Sequence, residues 1–162
     1  DKVQSDDATN REAVAAQAYF KILIADGSRR DSDWTPSLDY GYSIIRSAII
    51  QSLITHGLMP SKGIHHNSIE NVFNLADDLI EPFRPVVDFY IVSYNLNDEL
   101  SHEIKVSLSK VLELCVLQNG RKTSVRQSID ELIESLIKSM KEKDSSILSF
   151  PSLSPIEFIT FA

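Results

Sequence analysis

Apolar and polar residues recur along most of the chain with the spacing of α-helices. Residues 9–12 (Thr-Asn-Arg-Glu) have the capping-box pattern, in which a hydroxyl and an acidic side chain close the start of a helix. Apolar residues from Ala13 to Ala25 then cover nearly the whole helical circumference, which predicts a helix buried on most sides. A second long apolar helix is predicted from about Leu38 to His56, and Gly57 is a favourable residue to end it.

The second half of the chain predicts further helices separated by turn residues. Pro82 and Pro85 should end or kink a third helix that begins near Ser68, because proline lacks a backbone N–H and clashes with the preceding turn. No segment shows a competing strand-like alternation. The other predicted segments are a loop at 57–67, an apolar run at 86–94, a fourth helix capped by Asn97 or Asp98 and ending before Asn119-Gly120, and a fifth, amphipathic helix from 124–127 to 141–143.

Length and composition indicate one globular domain. A chain of 162 residues can bury a sizeable core, and 43% hydrophobic residues with few glycines and prolines exclude a disordered or fibrous protein. We therefore predict a single all-α domain over residues 1–162 with about five to seven helices, a frayed start at 1–8 and an extended C-terminal tail at 145–162. The one cysteine, Cys115, lies in an apolar run and is predicted to be buried.

Charge and targeting signals narrow the classes of function. No apolar stretch approaches the ~18 residues of a membrane span, and the N-terminus lacks a signal-peptide pattern, so a cytoplasmic protein without membrane contact is expected. The net charge of −7 has the wrong sign for a domain that binds nucleic acid alone. A role on DNA would need locally concentrated cations, a bound metal ion or a partner.

The third predicted helix carries the most informative polar residues. Asp78 and Glu81 stand at i and i+3, so their carboxylates are neighbours and a bound cation would relieve their repulsion. Asn74 falls on the same side, whereas Asp77 points elsewhere. The alternative is a solvated polar face, which is the more common situation for acidic helix faces. The stripe predicted to face the core comprises Val72, Phe73, Ala76, Leu79, Ile80 and Phe83.

Glu12 and two adjacent histidines are further candidate ligands. Glu12 occupies the acidic position of a capping box, yet it also heads a stripe with Tyr19 on a largely buried helix, where a carboxylate needs a partner or a metal ion. Both interpretations stay open. His65 and His66 lie in a loop, where most histidines are surface residues, but an imidazole combined with carboxylates also suits Mg²⁺ or Mn²⁺.

Four segments occur in an order that resembles one known family. Residues 10–16 (NREAVAA) with the aromatic pair at 19–20 resemble a motif in which a glutamate opens a small-residue helix. Residues 38–46 (LDYGYSIIR) resemble a Leu-Asn-Tyr-Gly-Tyr helix, with Asp39 where many relatives have asparagine. Residues 57–66 (GLMPSKGIHH) and 73–85 (FNLADDLIEPFRP) resemble a histidine-bearing loop and an acidic helix. Together they resemble the C-terminal helical catalytic domain of the CRISPR-associated spacer-acquisition integrases, the "Cas-one" family, in the variant of Cas-nine (type II) systems.

The resemblance is dense from Asn10 to Asp88 and implies a metal centre. The implied ligands of Mg²⁺ or Mn²⁺ are Glu12, His66 and Glu81, with Asp78 as an additional catalytic residue. His66 is preferred to His65 because the family motif is Gly-x-x-His, counted from Gly63. The family's N-terminal β-rich domain is expected to be absent from this sequence.

The resemblance also implies an activity and partners. The activity would be that of a DNA endonuclease and integrase that inserts new spacers into a CRISPR array, with a DNA 3′-hydroxyl attacking a phosphodiester. The partners would be DNA, the smaller adaptation subunit (Cas-two) and a second copy of the chain. The DNA-facing cations are predicted to be Arg29, Arg30, Arg46 and Arg84, together with Arg121, Lys122 and Arg126. The alternatives are a generic helical metal-dependent phosphohydrolase and a non-catalytic helical interaction domain.

Overall fold

The computed structural model describes residues 14–15, 18–19, 34–97 and 99–159, and residues 14–15 and 18–19 are helical. The α-helices that follow are α1 (Thr35–Thr55), α2 (Asn74–Ile80), α3 (Arg84–Ser93), α4 (His102–Ser109) and α5 (Val125–Glu142). Short 3₁₀ segments lie at Glu81–Phe83, Lys110–Glu113 and Ser145–Ile147. The strands are β1 (Leu114–Gln118), β2 (Arg121–Ser124) and β3 (Ser152–Phe158).

The long helix α1 forms the centre of the fold and contacts α2, α3, α4 and α5. Pro36 stands in its first turn, where the missing N–H of proline costs nothing. The helix ends at Thr55, close to the predicted end, and Gly57 follows with a φ of 77°. Leu38 and Ile45 on this helix are completely buried, so α1 is the surface on which the other helices pack.

The prediction of an all-α fold is wrong, because the described residues include a three-stranded antiparallel sheet with the order β2-β1-β3. The apolar run that contains Cys115 forms β1, which is buried along most of its length. A continuous apolar run has neither the helical nor the alternating period, so a buried strand and a buried helix cannot be separated by pattern alone.

The turn at Asn119-Gly120 also differs from the predicted end of a helix. Both residues have positive φ, 52° and 75°, and join Gln118 to Arg121 in a two-residue hairpin. These angles match the primed turns that asparagine and glycine favour between antiparallel strands. The prediction that a helix ends before this dipeptide is therefore wrong, because between two β-capable runs Asn-Gly predicts a hairpin.

The loop before α2 is longer than predicted, since α2 begins at Asn74 and not near Ser68. The Asn71 side chain accepts a hydrogen bond from the backbone N–H of Phe73, at 3.0 Å, which stabilises a turn immediately before the helix. At Pro82 the helix passes into the 3₁₀ segment Glu81–Phe83, and Pro85 then lies in the first turn of α3.

The remaining elements close the core from the other side. Helix α5 begins as predicted with a Ser-x-x-Gln pattern, in which the Ser124 hydroxyl accepts a hydrogen bond from the N–H of Gln127 at 3.2 Å. Helix α4 is capped by Ser101 and not by Asn97, and Asp98 lies outside the described residues. Within the described parts of the chain, no helix has the length and apolar character to cross a membrane.

Candidate metal centre

The loop between α1 and α2 is held in place by a buried amide at the start of α2. Asn74 is 3% exposed, and its Nδ2 donates to the backbone carbonyls of Ser61, Ser68 and Asn71 at 3.2, 2.8 and 3.0 Å. The N–H of Leu75 adds a bond of 2.7 Å to the carbonyl of Pro60. A loop without regular structure must satisfy its backbone groups elsewhere, and here one side chain satisfies several of them.

Asp78 holds the tip of this loop. The N–H groups of Ile64 and His65 donate to its Oδ2 at 2.5 and 3.1 Å, and the N–H of His66 donates to Oδ1 at 3.1 Å. Taken alone, burial would raise the pKa of the Asp78 carboxyl, but these N–H groups and the His66 ring hold that pKa below its usual value. Asp78 is therefore a stable anion that fixes the backbone at 64–66.

The same carboxylate orients the His66 ring. His66 Nδ1 lies 2.6 Å from Asp78 Oδ1, while 47% of the His66 side chain is exposed. With Nδ1 engaged by a carboxylate, the ring nitrogen that remains for a metal ion is Nε2. This carboxylate–histidine arrangement is common behind metal-ligating histidines because it fixes both the tautomer and the orientation of the ring.

Gly63 is required by the close packing of this loop. A Cβ atom at position 63 would collide with the backbone carbonyl of His66 and would lie 2.9 Å from Asn74 Cβ and 3.0 Å from Asp78 Oδ2. Backbone atoms cannot move aside as the end of a flexible side chain can, so a larger residue at position 63 would distort the loop. A cavity of about 380 Å³ opens beside the loop, and its lining includes Gly63, His66 and Asn74.

Glu81 lies one helical turn beyond Asp78 and is paired with Arg84. Arg84 Nε donates to Glu81 Oε1 at 2.8 Å, and 56% of the Glu81 side chain remains exposed. The Arg84 guanidinium also stacks on the Tyr42 ring of α1, 4.6 Å from the ring centroid. Burial alone would lower the pKa of Arg84, but Glu81 and Tyr42 raise it above its ordinary value. Arg84 is thus a fixed cation beside Glu81.

Comparison with known proteins identifies the family. A family model for the CRISPR associated protein Cas1 matches residues 35–144. The chain belongs to the Cas1 family. It is 33% identical over 162 residues to the CRISPR-associated endonuclease Cas1 of Neisseria meningitidis serogroup C, covering 96% of this chain and 53% of that relative. It is 36% identical over 56 residues to a CRISPR-associated endonuclease Cas1 of Pyrobaculum aerophilum, covering 35% of this chain and 18% of that relative.

A solved structure shows the same fold. A casposase bound to integration product superposes with a TM-score of 0.69 and 20% sequence identity, covering 90% of this chain and 50% of the casposase chain. The chain therefore spans about half the length of this casposase and of the Neisseria relative. The resemblance found in the sequence motifs is confirmed at the level of the family.

The described residues bring part of the predicted metal centre together. His66 and Asp78 are in direct contact, and Glu81 follows Asp78 on the same helical stretch. Glu12, Arg29 and Arg30 lie outside the described residues. Among the described residues alone, no three carboxylate, imidazole or thiol groups converge closely enough to hold a metal ion. Ligation by Glu12, His66 and Glu81 stays a prediction.

Arg46, a predicted DNA-facing cation, is held in a bidentate ion pair. Its Nε and terminal nitrogen donate to the two oxygens of Asp77 at 2.6 and 2.9 Å, and its guanidinium lies 5.0 Å from the centroid of the Phe73 ring. Asp77 is further bound by Asn71 at 2.7 Å. Arg46 therefore supports the start of α2, and 36% of its side chain stays exposed.

Two polar residues beneath the site were missed by sequence reasoning. Asp88 is 1% exposed and accepts hydrogen bonds from the hydroxyls of Tyr42 and Tyr19, the second at 3.0 Å. Asn74, predicted on the polar face, is buried under the loop. The available signal for Asp88 was a carboxylate in an apolar helical run, where a buried charge needs partners.

Proposed function

We propose that this Cas1-family chain is the helical catalytic part of a DNA endonuclease and integrase that inserts spacers into a CRISPR array. The observation that carries the proposal is the set of hydrogen bonds between Asp78 and residues 64–66. These bonds place His66, with Nε2 free of the Asp78 contact, next to the acidic helix. Family membership supports the same reading, since the Neisseria relative is named an endonuclease. The casposase with the same fold is described as bound to its integration product.

The donor chemistry of the site fits Mg²⁺ or Mn²⁺. We propose that His66 Nε2 and the Glu81 carboxylate hold the ion together with Glu12, because carboxylate oxygens suit these cations and a site with one imidazole leaves positions open for phosphate oxygens. When bound, such an ion supplies Lewis-acid chemistry, which polarises a phosphoryl oxygen and activates an attacking hydroxyl. Asp78 acts behind His66, keeping the ring in one tautomer and one orientation.

The protein's own groups position the DNA. Arg84 lies beside Glu81 with 30% of its side chain exposed, so it can contact a phosphate oxygen next to the reacting one. Arg46, Arg29 and Arg30 are proposed as further phosphate contacts. Because the net charge is −7, these cations must act as a local patch, and the smaller adaptation subunit and a second copy of the chain are proposed to complete the DNA path.

The test compares Glu81→Gln with Glu142→Gln in the full-length protein. The two glutamates are matched, since their side chains are 56% and 53% exposed and each pairs with a cation one turn away, at 2.8 and 4.0 Å. Joining of a DNA 3′-hydroxyl end to a duplex target in Mn²⁺ should fall by about 100-fold or more in Glu81→Gln, since a weakened metal site loses both affinity and geometry.

The Glu142→Gln variant should join DNA at the wild-type rate, and a chelator should abolish joining by the wild-type protein. Both variants should unfold near the wild-type temperature, because exposed ion pairs contribute about 0–1 kcal/mol. Near-normal joining by Glu81→Gln would remove Glu81 from the proposed ligand set. Chelator-resistant joining would remove the metal from the mechanism.

A further inference from the structure

Asp88 is a buried carboxylate in the interior face of α3. It is 1% exposed, although transfer of a charged group out of water costs far more free energy than transfer of an apolar one. It lies seven positions after Glu81, with the 3₁₀ segment Glu81–Phe83 and the first turn of α3 between them. Sequence position alone gives no reason for a charge at this point in an apolar run.

The contacts of Asp88 connect two other segments of the chain. Its Oδ1 accepts from the hydroxyl of Tyr42 on α1, and its Oδ2 accepts from the hydroxyl of Tyr19 at 3.0 Å. Burial and the neighbouring Asp88 raise the pKa of the Tyr19 phenol, so Tyr19 stays protonated and remains a donor. One carboxylate thus holds two tyrosines that are 46 and 69 positions away in the sequence.

Tyr42 carries the connection to the candidate metal centre. Its ring lies under the Arg84 guanidinium, 4.6 Å from the ring centroid, and Arg84 donates to Glu81 at 2.8 Å. A tyrosine fixed at its hydroxyl cannot swing its ring, so the position of the guanidinium above it is also restricted. Asp88 is therefore connected to Glu81 by three successive contacts, through Tyr42 and Arg84.

Tyr19 carries the connection in the other direction. The sequence pattern predicts that Tyr19 shares a helix face with Glu12, which lies outside the described residues. The hydrogen bond from Tyr19 to Asp88 joins the helical residues 18–19 to α3.

We propose that Asp88 is a positioning residue for the metal centre, which fixes Glu81 through Tyr42 and Arg84. The inference rests on the proposed function, since it assigns Asp88 a role toward the same metal site. Asp88 does not touch the reacting atoms. Its removal should therefore weaken metal binding, while saturating metal should restore much of the activity.

The primary test compares Tyr42→Phe with Tyr90→Phe in the full-length protein. Each change removes one buried tyrosine hydroxyl and keeps the ring, and the Tyr90 hydroxyl bonds instead to Ser107, 2.7 Å from its Oγ. Two quantities are measured for each variant. The first is the rise in melting temperature on titration with Mn²⁺ alone, and the second is the Mn²⁺ concentration that DNA joining requires. Tyr42→Phe should need about 10-fold more Mn²⁺ in both, because the Arg84 that holds Glu81 loses its fixed support, and Tyr90→Phe should need the wild-type concentration.

A double-mutant cycle with Asp88→Ala tests the connection itself. If Tyr42 acts through Asp88, adding Tyr42→Phe to Asp88→Ala should not increase the Mn²⁺ requirement further. Additive effects, or equal Mn²⁺ requirements for Tyr42→Phe and Tyr90→Phe, would overturn the proposal. The comparison of Tyr42→Phe with Tyr90→Phe tests the proposal even if Asp88→Ala does not fold. A wild-type protein that neither binds nor requires Mn²⁺ would instead overturn the proposed function.

Discussion

The site half of the molecule (residues 57–93) and the sheet half (residues 110–158) use their acidic side chains differently. In the site half, Asp88 is buried and the Asp78 side chain is 9% exposed, and both accept hydrogen bonds from backbone N–H groups or hydroxyls. In the sheet half, the ion pair of Lys122 with Glu157 at 2.7 Å joins two side chains that are each about half exposed. These two acids hold irregular backbone and distant segments in place, whereas exposed ion pairs contribute little to the free energy of unfolding.

This difference separates the residues that shape a reactive surface from those that only support it. A satisfied buried carboxylate specifies one arrangement of its neighbours, because any other arrangement leaves the charge without partners in a low-dielectric interior. An exposed ion pair imposes no such requirement, since water can replace either partner. We therefore expect substitution of Asp78 or Asp88 in the site half to change activity and stability together, and substitution of acidic side chains in the sheet half to change stability alone.

Among the substitutions that test this comparison, the largest effect is expected for Asp78→Ala. Without its carboxylate, the N–H groups of residues 64–66 lose their acceptor and the His66 ring loses its orientation. DNA joining should fall by about 100-fold, because the proposed metal ligand His66 is no longer held by a carboxylate. The free energy of unfolding in denaturant should fall by about 2 kcal/mol, as for hydrogen bonds to charged groups.

The sheet-half counterpart of Asp78→Ala is Glu131→Ala. Glu131 is also largely buried, 13% exposed, and accepts from Arg121 at 2.5 Å. Its removal should leave DNA joining unchanged and lower the free energy of unfolding by less than about 1 kcal/mol, because Arg121 is 57% exposed and can be solvated. Equal losses of joining in the two variants would contradict the division into halves.

A smaller effect on stability is expected for Gly120→Ala in the sheet half. Gly63→Ala in the site half is the matching substitution. Gly120 has a φ of +75° with open space around it, so alanine should cost about 1 kcal/mol of backbone strain and leave DNA joining intact. Gly63 lacks space rather than an unusual φ, and a Cβ there would push against the backbone of His66. Gly63→Ala should therefore reduce joining as well as stability. Denaturant unfolding and joining rates, measured on both variants, check this difference.

The smallest effect is expected from the pH dependence of a surface cap in the sheet half. Hydrogen bonds from Ser146, whose N–H lies 2.9 Å from Oδ1, lower the pKa of Asp144. Because the folded pKa is lowered, the stabilisation is present above the ordinary pKa of aspartate and is lost as pH falls through the folded pKa. The melting temperature of wild type should slightly exceed that of Asp144→Ala at neutral pH, and the margin should vanish in acid. A margin that grows in acid would contradict the assignment.

Helices with strong local signals could be predicted from the sequence. The apolar pattern placed the long helix at about 38–56, and the structure has it at Thr35–Thr55. The Ser-x-x-Gln cap placed the start of α5 correctly at Ser124. Both signals depend on neighbours within a few positions, so the sequence contains all the information that decides them.

The prediction of secondary structure from the sequence was wrong where contacts with distant segments decide the structure. Leu114–Gln118 is a strand because β2 and β3 pair with it on both sides, and β3 comes more than thirty positions later, with Leu117 facing Ser152. The helix predicted from Ser68 begins at Asn74 because the Asn74 amide binds carbonyls across the preceding loop. Helix propensity is a weak preference, and such tertiary contacts override it.

By itself, the sequence determined the family, the helical core around α1 and the motif that contains His66, Asp78 and Glu81, because local periodicity and motif spacing carry that information. Only the tertiary structure decided that Asp78 clamps the His66 loop and that Asp88 joins Tyr19 to Tyr42. A linear pattern shows that a polar residue is present but not whether it will be buried. Burial and hydrogen-bond partners arise when segments far apart in the chain pack together.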